Sequence, residues 1–374
     1  MENSHSSRDI IYKTTLILLA VAINSIEFII PRIPFFPWLK PGLANCVTII
    51  WIVEFGVVDA LLFSLLRIWI VGFYFGFSFY TISLSLSGGI CSTLVMGLVW
   101  TALGKRGWLG SVGMGVIGAL VHNLTQIVVI YFLLAKNVHL FYQVPLMIAA
   151  SIVFGFITGI CAPSLLYFLH DAQRKLSYGK PAVVLTSGSV RKRDSIAPLL
   201  LLCAGCGVAL IDNVTILGLC AGISALAVQM INRGSLKLLL SPITRFWPMF
   251  LFIAFVHGFF SYGTKIENLP LITYEGLRLT CVQWLKLLTW LEFSFILTYF
   301  NFHRILFRAL QKLFPKNQAA LFSGVLALEY FPALVGVIQK KTKSRFLWGL
   351  KHPFQGARKS LLFICNEIER LLYA

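Results

Sequence analysis

The chain has 374 residues, of which 58% are hydrophobic and only 12% are charged, and its mean hydropathy is +0.82. Soluble domains carry roughly 25% charged residues, so this composition excludes a single soluble enzyme and also a disordered chain. Apolar runs of about 20 residues recur along the sequence, and a helix of that length crosses a hydrocarbon layer of ~30 Å. The composition therefore predicts an all-α polytopic membrane protein.

The chain is strongly basic, with 32 Lys and Arg against 14 Asp and Glu, a formal charge of +18. The basic residues lie between apolar runs, which is the pattern of the positive-inside rule and not of nucleic-acid binding. The eight cysteines fall mostly inside the apolar runs, and the C-x-x-C pair Cys203 and Cys206 has no second pair to complete a zinc site. We therefore expect the lipid bilayer as a partner, no nucleic acid and no metal.

The first half of the chain contains six predicted membrane spans. Basic residues precede the first span, separate the fourth from the fifth and follow the sixth, so all three clusters lie on the cytoplasmic side if the N-terminus is cytoplasmic. The predicted spans are residues 12–30, 43–55, 57–76, 78–103, 109–135 and 143–169.

Residues 171–194 are polar, contain Gly, Pro and Ser, and end in three consecutive basic residues. This composition is typical of an inter-domain linker, which divides the chain into a domain at 1–170 and a second domain at 195–374. The second domain has apolar runs at 196–211, 213–231, 246–263 and 273–300, and the segment from Arg233 to Arg245 is predicted to return the chain to the cytoplasm.

Beyond residue 300 the pattern changes to an amphipathic basic helix. Basic residues recur there every three to four positions among Leu and Phe: His303, Arg304, Arg308, Lys312 and Lys316. A second basic cluster lies at residues 340–345. Such helices either rest on anionic lipid headgroups or dock a cytoplasmic partner, and the sequence leaves both alternatives open.

The sequence contains no motif for catalysis. Gly113 to Gly118 matches G-x-G-x-x-G but lies within a predicted span, where glycines indicate close helix packing. No G-x-x-x-x-G-K-[ST] motif is present, and no aspartates are paired as magnesium binding by a prenyl-diphosphate enzyme requires. We therefore predict that the chain is not itself an enzyme.

Polar residues occur at membrane depth in five successive elements of the first half. An ionisable group that faces lipid costs a few kcal/mol, so we expect these side chains to face the bundle interior. The candidate substrate-binding residues are Glu27, Asn45, Arg67, Ser87, His122, Asn123 and Gln126.

Helical periodicity predicts that one neighbouring helix meets His122, Asn123 and Gln126 together, in a site between the first, third and fifth spans. Two interpretations of the charged residues remain: Arg67 pairs with Glu27 and locks two helices together, or both line a ligand cavity. Arg67 and His122 would suit an anionic ligand and Glu27 a cationic one, so the substrate class stays open.

Four strings in the first half carry a family resemblance: KPGLANCVTI at 40–49, SLLRIWIVGFYFG at 64–76, YTISLSLSGG at 80–89 and GVIGALVHNLTQ at 115–126. They resemble the Gx transporter family, whose members are often labelled heptaprenyl diphosphate synthase component I. That family belongs with the substrate-binding S-components of energy-coupling factor transporters. The resemblance implies a six-helix S-component-like bundle in a bacterial cytoplasmic membrane, with both termini of this chain cytoplasmic.

The second half resembles, more weakly, the transmembrane T-component of the same transporters. The matching text is ITYEG at 272–276, FNFHRILFRALQKLFP at 300–315 and ALEYFPALVGVIQ at 327–339. This resemblance implies a domain of four to five spans whose cytoplasmic helices, within 301–359, hold separate ATPase subunits. The expected coupling residues are Arg304, Arg308, Lys312, Ala357 and Arg358, the last two being part of an Ala-Arg-Gly-like motif.

Together the two resemblances imply an importer subunit for a small nutrient or metabolite. ATP would bind to the partner ATPase subunits, so no cofactor is expected on this chain. The alternatives are a non-transport membrane subunit of heptaprenyl diphosphate metabolism and a scaffold without a ligand.

Overall fold

The computed structural model describes residues 2–29, 42–75, 79–135, 138–175, 204–205, 207–208, 210–231, 236–260, 263–266, 269–299, 302–328, 330–332, 334–335 and 368. Its first half is helical. The helices are α1 Glu2–Ile29, α2 Asn45–Phe55, α3 Val57–Phe75, α4 Phe79–Ala102, α5 Ser111–Ile130 and α6 Val144–Lys175.

The helices of the first half lie close to the six predicted spans, but α6 is longer than predicted. It continues to Lys175 and so includes residues 171–175, which the composition assigned to the linker. The remaining linker residues lie outside the described part of the chain. Pro163 is accommodated inside α6.

The second half contains further helices and one short hairpin. Its helices are α7 Val214–Ile231, α8 Leu236–Phe260, α9 Tyr274–Tyr299, α10 Phe302–Leu313 and α11 Gln318–Leu328. Strands β1 Lys265–Ile266 and β2 Leu269–Thr273 pair antiparallel between α8 and α9. Most of the apolar run at 196–211 lies outside the described residues.

The segment from Arg233 to Arg245 is helical from Leu236 onward, because its leucine-rich sequence is a good helix former and continues into the apolar run that follows. The β1–β2 hairpin is a small exception to the helical structure, and it is too short to leave an alternating pattern in the sequence.

Four helical segments among the described residues are long and apolar enough to cross a membrane: Thr81–Arg106, Ser111–Leu133, Val138–Tyr167 and Val214–Ile231. One face of α6 is exposed and apolar, with Ile152, Val153 and Phe156 each more than half exposed, as expected for a lipid-facing surface. The described part of the chain is therefore that of an all-α membrane protein with one short hairpin, whereas a count of six spans in the first half stays a prediction.

Small residues bring α5 and α6 into backbone contact. A Cβ atom added to Gly115 would collide with the carbonyl oxygen of Gly155 and would lie 2.9 Å from the backbone nitrogen of Gly159. The glycines between 113 and 118 therefore serve close helix packing, as their position inside a span predicted.

The helix α1 is buried between the two halves of the chain. Residues 16–22 of α1 are fully buried and share a hydrophobic core with α2, α3 and with Leu310, Leu321 and Ala327 from the C-terminal helices. The hydroxyl of Ser323 on α11 also donates to the backbone carbonyl of Ile10, at 3.0 Å. The C-terminal helices thus complete the core of the first half.

Candidate functional site

Three polar side chains from the first three helices are buried, and we call them the ionic cluster: Glu27 on α1, Cys46 on α2 and Arg67 on α3. Their exposed fractions are 7%, 4% and 5%. The guanidinium carbon of Arg67 lies 5.8 Å from the centroid of the Phe63 ring, one turn earlier on α3.

Contacts at one end of the bundle fix the depth of this cluster. Tyr12 donates to the carboxylate of Glu54 at 2.7 Å, and Lys13 approaches Asp59 at 3.4 Å, so α1, α2 and α3 share a common level there. At 1.5 Å per residue, Arg67 lies about 12 Å beyond Asp59 on α3, and Cys46 about 12 Å beyond Glu54 on α2. Arg67 and Cys46 therefore lie in one layer well inside the bundle, whereas Glu27, about 21 Å beyond Lys13 on α1, lies further towards the opposite end.

Several buried polar atoms near this layer have no hydrogen-bond partner in the described part of the chain. They include Thr48 Oγ1, Trp51 Nε1, Arg67 Nε and Gln126 Oε1. Thr48 and Trp51 are fully buried, and the Trp51 ring stacks on Phe63 with centroids 4.4 Å apart. Buried polar groups are normally satisfied, so these atoms indicate a place where a ligand or water supplies the missing partner.

On α5, His122 points towards α4. The ring of His122 packs directly on Gly88, where an added Cβ would lie 2.8 Å from His122 Nδ1, so only glycine fits at this position of α4. Gln126 Nε2 lies 3.0 Å from His122 Nε2, within hydrogen-bond distance. The two side chains, one turn apart on α5, thus form one polar surface, on which His122 packs against α4.

Asn123 does not belong to that surface. Its amide donates to Ser151 Oγ on α6 at 2.8 Å, and Ser151 in turn donates to the Met147 carbonyl at 2.6 Å. The expectation that one neighbouring helix meets His122, Asn123 and Gln126 together is wrong, because adjacent residues on a helix differ by about 100° and here face different neighbours.

Two other predicted site residues bond within their own segments. Ser87 donates to the Ser83 carbonyl at 2.5 Å, one turn earlier on α4. Asn45 begins α2, and its side-chain amide lies next to Gly42, whose φ of +67° makes the turn that precedes the helix.

The site is predicted between the first, third and fifth spans, and its position stays a prediction. In the structure α3 packs on α1, α2 and α4, whereas α5 packs on α2, α4 and α6. Helices α2 and α4 thus each contact both α3 and α5. The polar residues of α2, including Thr48 and Trp51, were missed because Thr and Trp are common in membrane helices and carry no charge.

The second half also buries ionisable groups. Ser224 on α7 donates a short hydrogen bond to the carboxylate of Glu292 on α9, and Lys286 on α9 donates to Asp212 at 2.8 Å. Glu292 and Lys286 are 8% and 5% exposed. The sequence signal was present, since Glu292 lies inside the apolar string LEFSFIL, but the candidate residues named from the sequence all lie in the first half.

The predicted coupling residues are described only in part. Arg304, Arg308 and Lys312 lie on α10, and Lys312 is exposed, whereas Ala357 and Arg358 lie outside the described residues. Just beyond α10, the amide of Asn317 donates a short hydrogen bond to Asp59, the residue that also binds Lys13. Asp59, which the sequence left isolated, therefore connects α1 and α3 to the C-terminal helices.

Across the described part of the chain, no group of three or more His, Cys, Asp or Glu side chains could hold a metal ion.

No curated protein and no solved structure was found that matches the chain. Residues 16–165 match the family described as heptaprenyl diphosphate synthase component I, a family of membrane components similar to the S-components of energy-coupling factor transporters. The matched segment contains α2 to α5 and every candidate substrate-binding residue, and the second half lies outside it. The chain is therefore similar to the heptaprenyl diphosphate synthase component I family over residues 16–165, which is less than half of its length.

Proposed function

We propose that this protein is a membrane subunit of an energy-coupling factor type importer, in which a substrate-binding half and a coupling half are fused on one chain. It takes up a small nutrient or metabolite, and separate cytoplasmic ATPase subunits supply the energy. ATP binds to those partners, and this chain carries no cofactor. The proposal places the protein in a bacterial cytoplasmic membrane.

The observation that carries the proposal is the buried polar layer in the half that matches the family. Arg67 and Glu27 are buried inside the bundle, and Thr48 and Trp51 on α2 carry buried polar atoms without hydrogen-bond partners among the described residues. Ionisable groups buried in a membrane protein are costly and are typical of substrate pathways. A structural lock between two charges would not by itself explain the additional unpartnered donors on α2.

The contact between the halves supports a coupling role for the C-terminal helices. Helix α10 is amphipathic and basic, and α11 packs against α1 in the same core as α2 and α3. A force applied to α10 or α11 by a bound ATPase would reach α1 and α3 directly, through Asp59 and Ser323. This arrangement favours partner docking over simple attachment to lipid headgroups.

The proposal is tested by affinity purification of the full chain from its native membrane, followed by mass spectrometry of proteins and of released small molecules. We expect a pair of ATPase subunits and a bound metabolite, and we expect ATP-dependent uptake of that metabolite in proteoliposomes. A preparation that never contains an ATPase, and that takes up nothing, would contradict the importer.

The description of the matched family favours one alternative, a non-transport subunit of heptaprenyl diphosphate metabolism. The purified chain should then bind or convert isoprenyl diphosphates. Turnover of isopentenyl diphosphate with a prenyl diphosphate acceptor would establish that alternative, whereas we expect none because the chain has no paired aspartates for magnesium.

A further inference from the structure

The carboxylate of Glu54, at the end of α2, contacts two other helices of the first half. Its Oε2 atom accepts a hydrogen bond from the hydroxyl of Tyr12 on α1 at 2.7 Å, and its Oε1 atom lies 2.8 Å from Nε2 of His170 on α6. The side chain of Glu54 is 17% exposed and that of His170 is 50% exposed, so these contacts lie near the surface of the bundle. We call Tyr12, Glu54 and His170 the latch, because together they connect α1, α2 and α6 at one end.

A second carboxylate, in the first turn of α3, connects the same end of α1 to the second half. Asp59 accepts from Lys13 on α1 at 3.4 Å and from the side-chain amide of Asn317, which follows α10. Lys13 is next to Tyr12 in the sequence, so two adjacent side chains of α1 bind the two carboxylates. The end of α1 is thus held both by the latch and by a contact that includes the C-terminal helices.

The connection between the two carboxylates contains no flexible loop, because Gly56 alone separates α2 from α3. Its N–H donates to the Ile52 carbonyl of α2 at 3.2 Å, and its own carbonyl accepts from the N–H of Ala60 of α3 at 3.1 Å. The hydrogen bonding of both helices therefore reaches Gly56, whose φ of +88° is a conformation that favours glycine. A displacement of Asp59 is thus transmitted to Glu54.

We propose that the latch closes this end of the first half over the buried polar layer, and that the C-terminal helices open it by displacing Asp59 together with the α2–α3 connection. When that connection moves, Glu54 loses its contacts with Tyr12 and His170, and α1 and α6 separate. The buried layer then becomes accessible from the end that carries the linker. This inference rests on the proposed function, because it names how the coupling half regulates the substrate-binding half.

Cys46 is a natural reporter of latch opening. It is 4% exposed, lies about 12 Å deeper than Glu54 on α2, and shares a hydrophobic core with residues 16–22 of α1. The test uses the purified full chain in detergent with every cysteine except Cys46 replaced by alanine, and it measures the rate at which N-ethylmaleimide labels Cys46. A buried thiol reacts through the open form, so this rate reports the population in which the latch is open.

Two variants open the latch from different sides. Tyr12→Phe removes the hydroxyl and keeps the ring, and Asn317→Ala removes the donor to Asp59 without touching the latch. Each should increase the labelling rate about 10-fold, because the closed form loses a hydrogen bond to a carboxylate. If both contacts break in one concerted opening, the double variant should multiply these effects to about 100-fold, whereas two independent openings would add to about 20-fold.

His170→Ala is a further variant of the latch and should also increase the rate, because it removes the other partner of Glu54. An unchanged rate in Tyr12→Phe and His170→Ala, or in Asn317→Ala, would overturn the proposal. A double variant of Tyr12→Phe and Asn317→Ala that shows the sum of the two effects instead of their product would overturn it as well.

Two controls separate latch opening from a general loosening of the bundle. Tyr167→Phe removes the same hydroxyl from a side chain of α6 that is 80% exposed, and it should leave the labelling rate unchanged. Gly115→Ala disturbs the packing of α5 on α6, away from the latch, and should lower Tm without faster labelling of Cys46. Labelling accelerated by the same factor in Gly115→Ala as in Tyr12→Phe would overturn the proposal.

These rates are measured without an ATPase, so their failure is distinguishable from failure of the proposed function. Unchanged labelling in the latch variants of a chain that copurifies with ATPase subunits would overturn the latch and leave the importer intact. The absence of ATPase and of uptake, with labelling that responds as expected, would overturn the importer instead.

Discussion

Gly115 lies where the backbone of α5 meets that of α6, with Gly155 and Gly159 opposite. Gly115→Ala would push a methyl group into backbone atoms, which cannot move aside as a flexible side chain can. We expect a loss of about 1–3 kcal/mol in unfolding free energy, measured as a lower Tm in detergent. A matched control is Gly218→Ala on α7, where no atom lies within 4 Å of the added carbon. That variant should be neutral or more stable by up to about 1 kcal/mol, because Ala favours a helix over Gly. Equal effects of the two substitutions would mean that α5 and α6 are not packed in this way.

The Asn123→Ala variant tests whether this polar residue of the first half stabilises helix packing or binds substrate. Since its amide bonds Ser151 on α6, Asn123→Ala should cost about 1 kcal/mol of stability. Ligand affinity should be unchanged within a factor of about three, since energetic effects at separate sites are nearly independent. A double-mutant cycle with Ser151→Ala should show that the two costs are not additive. If Asn123→Ala instead abolished ligand binding without lowering Tm, Asn123 would be a substrate-binding residue.

At the residue scale, the sequence could predict which polar side chains are buried but not what each one faces. Glu27, Arg67, Asn123 and Gln126 are all buried, as their cost at membrane depth implies. The direction of Asn123 depends on the rotation of α5 about its axis, which is set by the glycine contacts with α6. That rotation depends on helix packing, so the hydropathy of the sequence cannot predict it.

At the scale of the elements, apolar runs locate the helices because length and hydrophobicity are the physical requirements for crossing a bilayer. The positions of the helix ends depend instead on the intrinsic helix preference of the residues there. The helix α8 begins earlier than its apolar run because leucine and lysine both favour helix, and α6 continues into polar residues whose intrinsic preference hydropathy does not measure.

The prediction on coupling concerns the basic helix α10, which we expect to dock the ATPase subunits. Arg304, Arg308 and Lys312 are spaced by one turn, so they share one face of the helix. Replacing all three by Glu reverses the charge of that face and leaves its apolar face unchanged. We expect loss of ATPase binding and of ATP-dependent uptake, with little change in Tm. The control is the pair Lys105→Glu and Arg106→Glu in the exposed turn after α4, which should keep ATPase binding. Full uptake by the α10 variant would exclude this helix as the docking surface.

At the scale of the whole molecule, Asp59 connects the two halves. It binds Lys13 on α1 and accepts from Asn317 beyond α10, and the side chain of Lys13 is only 9% exposed. Asp59→Ala should therefore cost about 1–3 kcal/mol, because it leaves a buried ammonium group and an amide with lost partners. Asp9→Ala removes the other, more exposed partner of Lys13 and should cost less than about 1 kcal/mol. Similar Tm values for the two variants would show that Asp59 does not hold the halves together.

The orientation of the whole chain in the membrane follows from its charge. The paired residues Tyr12 with Glu54 and Lys13 with Asp59 lie at one end of the bundle, and His170, which contacts Glu54 at 2.8 Å, places the end of α6 there too. The linker at 171–194 follows directly and is basic, so the positive-inside rule predicts that this end is cytoplasmic. In a cysteine-free background, Ser187→Cys should resist a membrane-impermeant maleimide in intact cells and react after permeabilisation.

The control for this labelling lies at the opposite end. Tyr142, exposed between α5 and α6, should react from outside as Tyr142→Cys without permeabilisation, because α6 separates it from the linker by the full length of a membrane span. Labelling of Ser187→Cys from outside, with Tyr142→Cys protected, would invert the orientation. In that orientation α10 would face away from any cytoplasmic ATPase, so the same result would also remove the physical basis for coupling.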